Sequence, residues 1–480
     1  MTEINLKEYI ANVRSGSIDI VEETHKAIEK SKKINSVYNY FNIISEQHAI
    51  LQAEELKKRI KQKKADGRLL GVFISVKDSI CVKDIESTAG SKILSGYKPL
   101  FDAHAIKKIK EEGGIIIGKT SQDEFGFGSF SVNIGVGYSI PKNPFDLDRS
   151  CGGSSGGAAG LAWKAAEFGI PHMALGESTG GSIAEPASFC GVYGICPTYG
   201  RVSRYGLIDF ANSLDKIGAI GKSLYDTSLL QSVISGYDEN DSTSLNIKEE
   251  DYTKNLGKGS KGMKIGIIKE AFGDNDKKVE KRVYSAIERL KEEKVNVEEV
   301  SFELPIKYGL AVYYILATSE ASTNLAKYCG MRYGKAEPLE GAFNEYFKKV
   351  RSDNFGDEAK RRIILGTFVR MSGYRDAYYL KAAKIRTLMI QEYKRAFKKY
   401  DALVSPTVPI LPPKFFEIAK LTPLQNYMMD VLLVGPNVAG LPHLNIPIGF
   451  EGKLPVGMLL TGDHLQEGKL LQLGSVLEGK

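Results

Sequence analysis

Several things are scarce in this sequence. It holds five cysteines (Cys81, Cys151, Cys190, Cys196 and Cys329), an odd count with no pair at zinc-ligand spacing. Neither a disulfide framework nor a zinc module is expected, and the thiols read as reduced groups of a cytoplasmic protein. No apolar run reaches about 18 residues, so no membrane span is expected. The opening stretch MTEINLKEYIANV carries early acidic residues and no long apolar block, unlike a secretory signal. Only six histidines occur (His25, His48, His104, His172, His443 and His464). None belongs to an HExxH motif, and none stands at a suggestive spacing from an acidic residue, which leaves a Ser-His-Asp triad unsupported. The formal net charge is only +7, from 65 basic and 58 acidic residues. A solvated lysine-rich surface explains it better than an anionic partner such as RNA. Internal repeats and low-complexity tracts are absent.

What is present reads as a globular protein. The 480 residues are 42% hydrophobic and 26% charged, enough for one large core or two ordinary ones. Residues 1–64 read as a helical segment packed on the core. Helical spacing runs over 4–34, with Ser17 or Asp19 starting a second helix, and a third helix covers 45–64. Residues 65–480 read as one α/β domain. Short apolar strands (72–76, 115–118) alternate with helices and glycine-rich turns. A polar, turn-rich excursion covers 237–262, and a strand resumes at 264–268. Helices are expected over about 277–297 and 308–400, a proline-rich break at 406–413, and late strands within 439–449 and 456–462.

Two glycine–serine clusters carry the candidate chemistry. Residues 152–157 read GGSSGG and lead at once into the helix-like AAGLAW. Such a backbone brings amides and hydroxyls close to a ligand at a helix start. Residues 178–182 read STGGS. The consecutive N–H groups of Thr179, Gly180, Gly181 and Ser182 are candidates for an oxyanion hole. A serine nucleophile needs a base, and without a histidine the alternative is lysine. Lys77 directly follows the apolar strand VFISV, where lost hydration favours the neutral amine; the plain alternative is a snorkelling surface lysine. One motif is rejected. Residues 113–120, GGIIIGKT, match the P-loop pattern letter for letter, but here a helix precedes and the isoleucines form a strand, the reverse of the order a phosphate cradle needs.

Taken together, VKDSI (76–80), CGGSSGGAAG (151–160) and GESTGGSIAEPASFCGVYG (176–194) resemble the amidase signature family. The resemblance implies a large mixed β-sheet surrounded by helices and a Ser-cisSer-Lys triad. Ser182 would be the acyl-forming nucleophile, Ser154 the bridging serine behind a cis bond from Gly153, and Lys77 the base, while Ser155 and Ser178 are set aside. Longer blocks, PTYGRVSRYGL (197–207), NSLDKIG (212–218), YYILATSEASTNLAKYCGMRYG (313–334) and FGDEAKRRIILGTFVRMSGYRDAYYLKA (355–382), resemble the family branch of glutamine-hydrolysing subunits in tRNA-dependent amidotransferases. That branch implies two partners, a B subunit plus a small C subunit, with tRNA bound through them. Neither cofactor nor metal is implied for this chain; ATP and magnesium would be used by the partner. Arg362 and Asp430 would read the α-carboxylate and α-ammonium of glutamine, with Tyr313 and Phe127 beside them. Arg361 would point away, since neighbours on a helix differ by about 100°.

The chain departs from the commonest family pattern in three places. Ser178 stands where many members have Asp, Ala184 stands where they have Arg, and WKAAEFGIPHM (163–173) is longer than usual. Joint absence of the Asp and the Arg implies loss of one ion pair rather than loss of catalysis. Two rival functions are a stand-alone amidase for small or fatty amides and a non-catalytic scaffold subunit. A neutral amide needs neither Arg362 nor Asp430, and the intact Lys77, Ser154 and Ser182 argue against the scaffold.

Overall fold

A computed structural model describes residues 5–135 and 137–478. Residues 1–4 of the N-terminal segment, Val136, and the last two residues of the 65–480 stretch lie outside this description. Eleven strands form one sheet: β1 (Phe41–Ile44), β2 (Phe73–Lys77), β3 (Ile115–Thr120), β4 (His172–Ser178), β5 (Tyr193–Cys196), β6 (Lys216–Gly221), β7 (Lys264–Ile268), β8 (Asn296–Val300), β9 (Ala402–Pro406), β10 (His443–Glu451) and β11 (Leu454–Thr461). Their spatial order is β1-β3-β2-β4-β6-β5-β10-β11-β9-β7-β8. Parallel pairs (β2 with β3 and β4, β7 with β8 and β9) flank an antiparallel middle running from β4 to β9, giving the large mixed sheet wrapped by helices that the sequence implies.

The centre of the sheet explains the continuous apolar runs. Strands covered on both faces lose the in-out alternation of half-exposed ones. β2, β3 and β4 are buried at every residue. β2 and β4 run parallel, with Val76 opposite Leu175, so both deliver their carboxyl ends to the same edge. Lys77 ends β2 there, and Glu177 and Ser178 end β4 beside it. The segment matching the P-loop pattern indeed follows helix His104–Glu111 and forms β3, and Lys119 is buried against Asp78.

Elsewhere the structure corrects details. The second N-terminal helix, Ile20–Tyr38, is capped by Asp19, whose carboxylate accepts from the N–H groups of Val21 and Glu22. Phe41–Ile44 is an edge strand antiparallel to β3, although four residues are too few to show periodicity. The helix expected to reach 297 ends at Glu292, and Asn296–Val300 forms edge strand β8. The long helical region is four helices, Glu303–Asn324, Phe343–Asn354, Asp357–Arg370 and Lys381–Ala396. The first of these packs closely against the third. Beneath them lies an apolar cluster of its own containing Phe127, Phe210 and Tyr313. Among the described residues no helix is long and apolar enough to cross a membrane.

Candidate active site

The two glycine–serine clusters meet at the carboxyl edge of β2 and β4. Lys77 is fully buried. Its Nζ lies 2.7 Å from Ser154 Oγ, 2.8 Å from the Glu177 carbonyl oxygen and 2.8 Å from Glu177 Oε2. Burial strips the lysine of water, as its place at the end of an apolar strand implies, and the fold adds the Glu177 carboxylate against it. Ser154 sits in the turn before helix Gly156–Glu167, and the Gly153–Ser154 peptide bond is cis. Only glycine fits at 153, because a Cβ there would stand 2.2 Å from Asp123 Oδ2 and 2.8 Å from the Ser131 nitrogen. Asp123 pins the facing loop by accepting from the N–H groups of Ser131 and Asn133, and burial pushes its carboxyl up to about 6.

Ser182 follows the turn that leaves β4. It is 7% exposed, and its hydroxyl has no hydrogen-bond partner among the described residues. The Ser155 N–H donates to the Ser182 carbonyl at 3.2 Å, tying the two clusters together. The serines set aside are both engaged: Ser155 Oγ donates to the Glu177 carbonyl, and Ser178 Oγ donates to the Gly180 carbonyl. Asn437 Nδ2 also donates to the Gly180 carbonyl. The N–H groups of Gly180, Gly181 and Ser182 have no partner among the described residues. Thr179 belongs to the same turn, but its hydroxyl bridges Glu177 Oε1 (2.9 Å) and Asp215 Oδ1 (2.8 Å).

The turn packs against the other residues singled out in the sequence. A Cβ on Gly180 would lie 2.9 Å from the Tyr313 hydroxyl, and one on Gly181 would lie 3.0 Å from Asp430 Oδ1. Asp430 is buried and accepts from the hydroxyls of Ser129 and Tyr314, both at 3.1 Å. Burial pushes its carboxyl up to about 6, against those two hydrogen bonds and the nearby Arg362. Arg362 is 2% exposed. Its guanidinium carbon lies 5.0 Å from the Phe127 ring centre, 5.2 Å from Tyr314, and 5.5 Å from Phe210 and Tyr427. Its Nε donates to Glu358 Oε1 at 2.8 Å. Its two Nη groups have no hydrogen-bond partner among the described residues, and Arg362 lines a cavity of about 280 Å³ with Ser129, Glu358 and Tyr427. Arg361 takes the other oxygen of Glu358, with its side chain 42% exposed, and reaches the outer part of the same cavity.

The residues at the three departures are packed into the fold, although the buried carboxyl of Glu185, next to Ala184, has no hydrogen-bond partner among the described residues, and burial pushes its pKa well above the usual range. Ala184 is buried in an apolar cluster with Phe130, Phe189 and Leu433. In segment 163–173, Trp163 packs edge-on against Phe145 and Phe450, and the rest completes the helix and opens β4. Two histidines do have acidic partners, His104 with Asp238 and His464 with Asp463, contrary to the spacing argument. None of the six bonds to a serine of either cluster among the described residues; His172, its pKa lowered to about 3 by burial, meets Ser75 instead. Sequence reasoning missed Glu177, Asp123, Ser129, Tyr314 and Asn437. The acidic pair in Gln122-Asp123-Glu124, directly after a strand, was a usable signal for Asp123. Asn437 had none.

The amidase family model matches residues 22–471. The A subunit of glutamyl-tRNA(Gln) amidotransferase from Halothermothrix orenii is 49% identical over 86% of this chain and 85% of its own length. The protein of the same name from Archaeoglobus fulgidus is 44% identical over 98% of both chains. The crystal structure of the Thermotoga maritima protein, again the A subunit of glutamyl-tRNA(Gln) amidotransferase, superposes with a TM-score of 0.80 at 33% identity, covering 99% of this chain and 94% of that one.

Proposed function

The chain belongs to the amidase family, and we propose that within it this protein is the glutamine-hydrolysing subunit of a tRNA-dependent amidotransferase. The observation that carries this reading is the pair of buried opposite charges beside the Gly180–Gly181 turn. Arg362 offers two unengaged Nη groups to a cavity, the geometry a carboxylate accepts. Asp430 offers an oxygen against Gly181 to an ammonium. A fatty or aryl amide has no use for either group.

In this reading Ser182 attacks the side-chain amide carbon of glutamine. Its proton passes to Ser154 as Ser154 passes its own to Lys77, along contacts of which Lys77–Ser154 is already 2.7 Å long. The N–H groups of the 179–182 turn face the developing oxyanion, and one such donor is typically worth about 3–4 kcal/mol. The protons return to the leaving nitrogen, ammonia departs, and water releases glutamate from Ser182. The relatives' name supports the fate of the ammonia: a partner B subunit, in complex with a small C subunit and using ATP and magnesium, would spend it on amidating glutamyl-tRNA(Gln), with aspartyl-tRNA(Asn) as a second acceptor. The chain would then act in protein biosynthesis, in the cytoplasm. Glutaminase assays of the purified chain, alone and with its co-purified subunits, test the reading. Release of glutamate and ammonia is expected; preference for simple fatty or aromatic amides over glutamine overturns it.

A further inference from the structure

Drawn as an ammonium, Lys77 spends all three N–H donors, on Ser154 Oγ, the Glu177 carbonyl and Glu177 Oε2. An ammonium has no lone pair. It takes no proton from Ser154 until one of its own has left. Direct loss to water is closed off, since Lys77 is fully buried and Glu177 is 3% exposed. Among the described groups touching Nζ, only the Glu177 carboxylate can take up and hold a proton.

We propose that Glu177 is the local proton store that readies Lys77 for each turnover, a positioning residue that acts through the lysine without touching substrate. This rests on the reading of Lys77 and Ser154 as the proton relay. One N–H bond of Lys77 breaks and an O–H bond forms on Glu177 Oε2. The electron pair stays on Nζ, and rotation about the Cε–Nζ bond turns it toward Ser154. No proton enters or leaves the pair, and two buried charges become two neutral groups.

The surroundings hold Glu177 for this task. Its Oε1 meets the Thr179 hydroxyl at 2.9 Å, and that hydroxyl lies 2.8 Å from Asp215 Oδ1. One hydroxyl has one proton, so the second contact needs a proton from the other side. Asp215 can supply it: burial, then the charge of Glu177, pushes its carboxyl well above the usual range. Asp215 is fixed in turn by the N–H groups of Phe210 and Ala211. The other charged groups facing the pair are the buried Asp123, whose charge interacts with Lys77, and Arg362 beyond it.

The test is Glu177→Gln in the full chain with its co-purified subunits. The amide keeps a hydrogen bond to Lys77 but cannot hold the proton. The readout is the rate of Ser182 sulfonylation by phenylmethylsulfonyl fluoride, which needs an activated serine and no glutamine. Wild-type labelling is expected to stay flat across the neutral and mildly alkaline range. In Glu177→Gln no local group takes the lysine's proton, so labelling is expected to be slow at neutral pH and to recover as hydroxide rises. Parallel profiles, or labelling at neutral pH as fast as wild type, overturn the proposal. Should Glu177→Gln fail to fold, Glu177→Asp decides: slower but flat labelling supports the store, and a climbing profile refutes it. Failure of the glutamine reading shows separately, as a wild type that is labelled yet does not hydrolyse glutamine.

Discussion

Replacing Arg362 with alanine removes the cation assigned to the α-carboxylate of glutamine. The guanidinium sits among four aromatic rings with only its Nε engaged, on Glu358. Loss of a charge-assisted, two-pronged contact in a desolvated site costs about 2–5 kcal/mol. The cavity is open on one side, and Arg361 lines it with a 42% exposed side chain that can supply part of the missing field. The lower part of the range therefore applies, about 2–3.5 kcal/mol, which is a rise of about 30- to 400-fold in the KM for glutamine. Steady-state glutaminase kinetics measure it, beside a glutamine derivative whose α-carboxylate is blocked. Mutant and wild type are expected to handle that derivative about equally. Arg362→Lys, which keeps the charge but loses the fork, is expected to fall between them and guards against a folding artefact. An unaltered KM for glutamine in Arg362→Ala refutes the assignment of this pocket to an amino acid.

Asp430 must be ionised to hold an ammonium, and burial pushes its carboxyl up to about 6. The kcat/KM for glutamine is expected to fall as pH drops through about 6, and this limb is expected to vanish for a substrate without an α-ammonium. The same upward shift means that folding is favoured with the carboxyl protonated: its stabilising contribution is full below the unfolded value near 4 and lost as pH rises through about 6. Asp430→Asn is therefore expected to raise Tm at neutral pH relative to wild type and to change it little near pH 4, read by thermal melts at the two pH values. Gly181→Ala sets a Cβ 2.5 Å from Leu433 Cδ1 and 3.0 Å from Asp430 Oδ1. Such overpacking costs about 1–3 kcal/mol, and glutaminase activity is expected to be lost while the circular dichroism of the native fold remains.

The site was legible in the sequence to the extent that its chemistry lies in continuous text. Lys77 ends an apolar strand, Ser154 and Ser182 lie in glycine-rich turns, and each turn joins elements whose patterns are plain. Parallel pairing of β2 with β4 is what brings them together, and a period-two pattern does not encode which strands pair. Glu177 escaped notice because it looks like one more charge in a glycine-rich loop. Only the strand register shows it turned onto Lys77 rather than toward water. Asn437 and Ser129 reach the site through hydrogen bonds to residues hundreds of positions away in sequence, and no local pattern marks such contacts. The short edge strands β1 and β8 failed for a different reason. β8 is mostly exposed, and its sequence, NVEEV, carries too few apolar residues to separate strand from helix end.

The most direct test is amidation of glutamyl-tRNA(Gln) by the assembled complex carrying Ser182→Ala, with glutamine or with ammonium as the nitrogen source. The account predicts loss of glutamine-dependent amidation, no acyl adduct with a reactive glutamine analogue, and ammonium-dependent amidation at the wild-type rate, because ammonia enters downstream of this chain. Glutamine-dependent amidation that survives Ser182→Ala, or a wild-type complex that fails to amidate tRNA with either source, contradicts it.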